Sequence, residues 1–171
     1  MKYHFRKATP AELPEIWTIL QGAILRRKED GSSQWQDGYP NMDVVKNDMN
    51  AGAAFVLKQG ETVVGYTAVF VNNEPEYANI KGQWLSNEDF LVFHRIAISQ
   101  EHLGQGLAKK MVEFIEDHAR SLGIRSIKAD TNFDNMAMLH IFAKGGYTFC
   151  GEVYFRGSAR KAFEKVLLSA Q

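Results

Sequence analysis

FHRIAISQEHLGQGLA, residues 93–108, decides the fold of this chain. Extended back to Phe90 it gives FLVFHRIAI, an apolar, β-branched run of strand length. The run enters the turn Gln100-Glu101-His102-Leu103-Gly104-Gln105-Gly106, and an amphipathic helix follows with Leu107, Met111, Val112, Phe114 and Ile115 on one side. Small residues at Gly104, Gly106 and Ala108 let backbone approach a ligand closely. The unpaired amides of a helix's first turn, with its dipole, attract an anion such as pyrophosphate. The spacing is neither the G-x-G-x-x-G of dinucleotide folds nor the GK[ST] of a P-loop. Alone, two glycines before a helix are equally served by a tight turn with no ligand.

A second signature lies downstream. Residues 135–155, NMAMLHIFAKGGYTFCGEVYF, read as a helix closed by glycine and followed by an aromatic strand. Leu103-Gly104-Gln105-Gly106-Leu107-Ala108 resembles the R/Q-x-x-G-x-G/A loop of the GCN5-related N-acetyltransferases (GNAT). Asn135 through Tyr147 resembles that superfamily's second motif, N-x(6)-Y-x-K-x-G-F, and FRKATPAELPEIWTIL, residues 5–20, is similar to its first strand and helix. The resemblance covers nearly the whole chain. It implies an α/β fold with a mixed, mostly antiparallel central sheet flanked by helices. It also implies direct acetyl transfer, in a ternary complex, from acetyl-CoA to a primary amine of a small molecule or peptide, without a metal.

The composition agrees with such a protein. A chain of 171 residues with 45% hydrophobic and 12% aromatic content suits one domain, residues 1–171, with a sizeable core. Twenty basic and twenty acidic residues balance to zero, which leaves no electrostatic footprint for nucleic acid or an anionic membrane. Cys150 is the single cysteine, so there is no intramolecular disulfide framework and no cysteine cluster for zinc. The start, MKYHFRKATPAEL, lacks a signal peptide's apolar region, and no apolar run reaches the length of a membrane span. These features predict a soluble, unprocessed, cytoplasmic protein.

The rest of the chain reads as alternating strands and helices. YHFRKAT is a strand; Thr9-Pro10 caps a helix with Leu13, Ile16, Trp17, Leu20 and Ile24 on one face. Residues 30–40 form a polar, glycine-bearing loop, 42–50 a short helix, and 53–72 a hairpin turned at Gln59-Gly60. Residues 73–88 have no clear period and form an excursion. After the helix 105–122 come the strand IRSIKADTN, a helix from about Asp134 to Lys144, and a final hairpin turned at Arg156-Gly157-Ser158.

The resemblance assigns roles residue by residue. Backbone amides of Leu103, Gly104, Gln105, Gly106, Leu107 and Ala108 would hold the pyrophosphate, and the backbone of Ile96, Ala97 and Ile98 would pair with the pantetheine arm, imitating an added strand. Leu103 departs from the family's arginine or glutamine, which weakens the clamp without abolishing it, since most of its capacity is backbone N–H and dipole. Lys109 or Lys110 would supply charge instead, or form a solvated face. Asn135 would bond the pantetheine or cap its helix, and Lys144 would lie near the adenosine phosphates or at the helix C-terminus, where a cation is favourable anyway.

Phe142 stands where many relatives carry the tyrosine that protonates the leaving thiolate, and a phenyl ring donates no proton. Tyr154 and Cys150 are the alternatives; each is equally an ordinary core or hairpin residue. For the base, His94 matches a strand histidine of the arylalkylamine N-acetyltransferases that takes part in a proton path, and histidine titrates near neutral pH. The plain alternative is a core histidine; the competing carboxylates are Glu88 and Asp89, otherwise solvated at the strand's entry. Trp35, Tyr39, Tyr77 and Trp84 lie in polar loops, where core packing explains them less well than an amine pocket or a homodimer contact. The loop acids Glu29, Asp30, Asp37, Glu74 and Glu76 would attract a cation or only face solvent. Two rival readings keep the fold: a transferase using a longer acyl-CoA, and a non-catalytic acyl-CoA-binding or sensor protein, suggested by Phe142.

Overall fold

The computed structural model describes residues 2–168. Its elements run β1 (Tyr3–Lys7), α1 (Leu13–Glu29), α2 (Met42–Asn50), β2 (Ala54–Gln59), β3 (Thr62–Val71), β4 (Lys81–Gly82), β5 (Phe90–Ile98), α3 (Leu107–Ser121), β6 (Ser126–Thr131), α4 (Met136–Gly145), β7 (Thr148–Phe155) and β8 (Ser158–Val166). This is the mixed, mostly antiparallel α/β sheet flanked by helices that the sequence predicts. The chain forms two compact units, Met1–Val69 with Arg95–Phe114, and Phe70–His94 with Ile115–Gln171. Strand β5 and helix α3 each contribute residues to both.

In the first unit β1 runs antiparallel to β2, with Phe5 opposite Leu57, and β2 antiparallel to β3, with Val56 opposite Tyr66. The end of β5 is tied to β3 through Ser99 N donating to Val64 O at 2.9 Å. The junction from β1 into α1 is a capped turn. Glu12 reaches back to accept from the Thr9 amide at 2.8 Å and from Arg6 at 2.8 and 2.9 Å. The buried stripe of α1 is Ile16, Ile19, Leu20 and Ala23, which pack with Val45, Val56, Tyr66 and Ala97. Of the predicted face, Ile16 and Leu20 are buried and Leu13 and Trp17, partly buried, pack against the same cluster, while Ile19 and Ala23 widen it. On the other side Leu57, Val64, Ile98, Leu107 and Met111 form a second cluster. Gly65 makes this packing fit, since a Cβ there would stand 2.7 Å from Met111 Sδ.

In the second unit the start of β5 pairs in parallel with β6, with Leu91 beside Ile127. Strand β6 is antiparallel to β8, β8 to β7, and β7 to the two-residue β4. Residues 73–88 form the predicted excursion before β5, with two short elements inside it. They contain a tight helical turn, Pro75–Asn79, and then β4, whose Gly82 meets Gly151 so closely that a Cβ on Gly82 would lie 2.1 Å from Cys150 O. The strands' alternation sorts their side chains. Phe90, Val92 and His94 of β5, Ser126, Lys128 and Asp130 of β6, and Arg160, Ala162 and Glu164 of β8 share one face. On the other, Phe142 of α4 stacks on Phe163 with centroids 4.7 Å apart and lies 6.3 Å from Phe93.

Candidate active site

In the first unit, Arg95 sits inside β5 at φ 56°, the left-handed region that disturbs a strand's ladder and that non-glycine residues rarely occupy. Its side chain shows what holds it there. The guanidinium reaches Asp48 of α2 through Nη2 to Oδ1 at 2.6 Å and Nε to Oδ2 at 3.2 Å, and donates to the Tyr39 hydroxyl. Tyr66 donates to the same carboxylate. Burial, then Asp48, push the Tyr66 hydroxyl far above its ordinary range, so it stays a donor. This buried network fixes the backbone immediately before Ile96, Ala97 and Ile98. Arg26 of α1 fixes the strand's other end by donating to Ile98 O at 3.0 Å and Gln100 Oε1 at 2.7 Å.

The turn beyond is closed by Ser99, whose hydroxyl lies 2.8 Å from Glu101 Oε2 and 3.0 Å from His102 Nδ1. Gly104 and Gly106 take φ of 76° and 73°, and a Cβ on either would meet nothing within 4 Å. The glycines are thus demanded by backbone conformation, and the space above them is open, as an approaching phosphate requires. The Lys110 amide donates to Gly106 O at 3.1 Å, while the amides before it belong to the helix's unpaired first turn. Leu103 is 41% exposed and brings no donor. The Lys110 ammonium sits over the Tyr3 ring, 5.7 Å from its centroid. Trp35 packs against the α1 cluster, at φ 64°.

In the second unit His94 is bracketed by carboxylates. Its Nε2 is 2.8 Å from Glu74 Oε2 and its Nδ1 is 3.9 Å from Asp130 Oδ2. Asp130 accepts from the Tyr77 hydroxyl at 2.6 Å and stands 3.9 Å from Arg160 Nη1. Burial, then Asp130, push the Tyr77 hydroxyl well above its ordinary range and keep it protonated. The rings of Phe70, Tyr77 and Phe155 lie 6.2–6.4 Å from the imidazole. Beside the cluster opens a cavity of about 430 Å³, lined by Glu74, Tyr77, Trp84, Glu88, Phe90 and Lys128 among others. Trp84 is locked into its wall by Nε1 donating to Tyr77 O at 2.8 Å.

Glu88 lines the cavity but is half exposed and 3.9 Å from Arg125; Asp89 accepts from Asn72 at 3.1 Å. Tyr154 donates to Glu152 at 2.9 Å with Lys81 over its ring. Its neighbours Val153 and Phe155 pack with Tyr77, so Tyr154 points from the opposite face of β7 to the one that carries His94. Cys150 donates to Thr148 O at 3.4 Å, and burial raises its thiol above the ordinary range. Asn135 caps α4, accepting from the Met138 amide at 3.2 Å, and Lys144 is exposed in that helix's last turn. Phe142 is fully buried.

Sequence reasoning missed Glu74 as a partner of His94, and missed Asp130, Arg160, Lys128, Arg26, Asp48 and Arg95. A signal for two of them is present: Lys128 and Asp130 alternate with Ile127 and Ala129 in a strand whose both faces are covered, and buried charges in such a strand mark a polar site. Among the described residues no group of three or more His, Cys, Asp or Glu is placed to hold a metal, and no helix is long and apolar enough to cross a membrane.

Glycine turn, strand and helix are those of one family of enzymes. Residues 20–147 match the acetyltransferase (GNAT) family model, and the chain belongs to that family. It is similar to a GNAT-family acetyltransferase of Streptococcus agalactiae 2603, with 34% identity and a TM-score of 0.90 over 98% of this chain and 96% of that one. It has the fold of yncA from Salmonella typhimurium, solved with its cofactor acetyl-CoA, at 17% identity and a TM-score of 0.70, covering 100% of this chain and 97% of yncA. In sequence it is 26% identical over 111 residues to rat N-acetyltransferase 8F1, covering 64% of this chain and 46% of that protein. It is 29% identical over 101 residues to the L-amino acid N-acyltransferase MnaT of Escherichia coli, covering 56% and 58%. The chain spans about half the length of the rat relative.

Proposed function

We propose that this chain is an acetyl-CoA-dependent N-acetyltransferase acting on a primary amine of a small molecule or peptide, by direct transfer. The observation that carries the reading is the turn at Gly104 and Gly106, left-handed and open, at the amino end of α3 in a chain of the GNAT family. The amides of residues 103–108 bind the pyrophosphate, and Ile96 to Ile98 present strand backbone to the pantetheine amides, kept in place by Arg95 on one side and Arg26 on the other. Bound there, acetyl-CoA supplies the thioester whose C–S bond breaks as the new C–N bond forms.

The acceptor enters as an ammonium and must lose one proton to become a nucleophile. His94 takes it. With its Nε2 hydrogen given to Glu74, the neutral ring keeps its lone pair on Nδ1. After the proton transfer both ring N–H groups face carboxylates, Glu74 and Asp130, which stabilise the imidazolium in a largely buried setting. The amine's second proton is released after attack, balancing the thiolate that leaves. Trp84, with Tyr77 and Phe90, walls the acceptor's cavity.

A second reading, a non-catalytic acyl-CoA binder of the same fold, is favoured by one observation. Phe142, fully buried against Phe163 and Tyr147, puts no proton donor at its position. A screen of primary amines and peptides against acetyl-CoA and longer acyl-CoA analogues, read by thiol release, tests the proposal. Amine-dependent thiol release supports transfer and reveals the preferred acyl chain. Cofactor binding with no release across the panel would establish the binder.

A further inference from the structure

Lys128 is a buried cation whose charge nothing in its surroundings fully uses. Its residue is 5% exposed, and its ammonium lies 4.3 Å from the centroid of Phe90 and 4.6 Å from that of Trp84. Among the described residues the ammonium makes no ion pair and no hydrogen bond. The nearest candidate is Glu164, its register partner on β8, also fully buried. That carboxylate is already occupied by the Leu85 amide at 2.7 Å, Ser86 Oγ at 2.6 Å and Ser126 Oγ at 2.7 Å. Glu164 therefore offsets the charge of Lys128 only through space, and burial lowers the affinity of Lys128 for its proton. An ammonium held against aromatic faces at a cavity wall, with no carboxylate in contact, is placed to meet an anionic group of a ligand.

The cavity that Lys128 lines supplies the context. Its walls carry Glu74, the carboxylate on His94, and the aromatic surfaces of Tyr77, Trp84 and Phe90. Lys128 stands beside Val92 in register, one pleat from His94 on the same face, a diagonal of roughly 7–8 Å between Cα atoms. One cavity thus holds a cation and two carboxylates, Glu88 and the Glu74 that pairs with His94. That is the complement of a zwitterion with an apolar body.

We infer that Lys128 binds the carboxylate of the acceptor, and that the acceptor is an amino acid with an apolar or aromatic side chain, its amine directed to Glu74, the carboxylate paired with His94. The inference rests on the proposed amine-acceptor site. In it Lys128 is a specificity residue that meets the substrate's carboxylate, while Trp84 and Phe90 hold the ammonium in place through their faces and pack on the acceptor's body.

The test separates binding from turnover. Phenylalanine and phenethylamine, which differ by the carboxylate, are titrated calorimetrically into the wild-type chain and into Lys128→Met, which keeps the stem and removes the charge. Phenylalanine is expected to bind the wild type tenfold to a hundredfold more tightly than phenethylamine, and Lys128→Met to erase the difference while leaving coenzyme A affinity unchanged. Equal or tighter binding of phenethylamine by the wild type, or discrimination that survives in Lys128→Met, would overturn the inference. Should Lys128→Met not fold, Lys128→Arg takes its place, and it must retain the preference for phenylalanine. The same pair assayed with acetyl-CoA tells the two claims apart. Preferential binding without transfer would leave the carboxylate site standing and remove the acetyltransferase; transfer that favours phenethylamine would do the reverse.

Discussion

His94 has a carboxylate near each ring nitrogen, Glu74 at 2.8 Å and Asp130 at 3.9 Å, and it is the group proposed to accept the amine's proton. His94→Ala should reduce turnover at neutral pH by roughly a hundredfold to ten-thousandfold, as general-base loss does. The deficit should shrink as rising pH deprotonates the amine in solution, and cofactor affinity should hardly move. A pH–rate profile of the variant checks this; a loss that is constant with pH would make His94 structural. The histidine was legible in the sequence because it stands nine residues before Leu103 on the strand that leads into the glycine turn. Its partner was not. Glu74 lies in a stretch without period beside Pro75, where an acid ordinarily faces solvent, and only the turn Pro75–Asn79 folds it back onto β5. Asp130 and Lys128 were hidden differently: a strand read for its apolar residues does not announce which of its polar ones meet a neighbouring loop.

At the scale of elements, the β1–α1 junction shows a cap and an ion pair working together. Thr9-Pro10 signalled the helix start in the sequence, and the structure adds that Glu12, three residues on, accepts from both Thr9 and Arg6. The Arg6 hydrogen bond holds the Glu12 carboxyl at about 2, below its ordinary 4.5. A carboxylate depressed in the folded state stabilises above its unfolded value and loses that contribution as pH falls through its folded one. Glu12 should therefore contribute about 2 kcal/mol at neutral pH, allowing for the partly exposed Arg6, and the contribution should fade between pH 4.5 and 2. Denaturant unfolding of Glu12→Gln is expected to show the loss at pH 7 and a flatter acid limb than the wild type. Equal losses at pH 7 and pH 2 would contradict it. Element order was largely legible, since period and turn residues carry it. The burial of Ile19 and Ala23 on α1 and the two-residue β4 were not, because the first depends on which neighbours cover the helix, and the second is held by backbone meeting backbone at Gly82 and Gly151.

At the scale of the whole molecule, strand β5 and helix α3 each belong to both compact units, with the change of unit falling between His94 and Arg95 and between Phe114 and Ile115. Unfolding either unit would remove half of a strand and part of a helix from the other. A single cooperative thermal transition is expected, with equal calorimetric and van't Hoff enthalpies; two resolved transitions would show that the units fold separately.

The turn at Gly104 and Gly106 is proposed to bind the pyrophosphate of coenzyme A, and a calorimetric titration of acetyl-CoA into the wild type and Gly106→Val decides it. A valine at φ 73° is strained, and its side chain would fill the open space over the loop while touching nothing in the core. Saturable binding to the wild type is expected, with at least a tenfold loss in a variant that remains folded by circular dichroism. Undiminished affinity in that folded variant would contradict it.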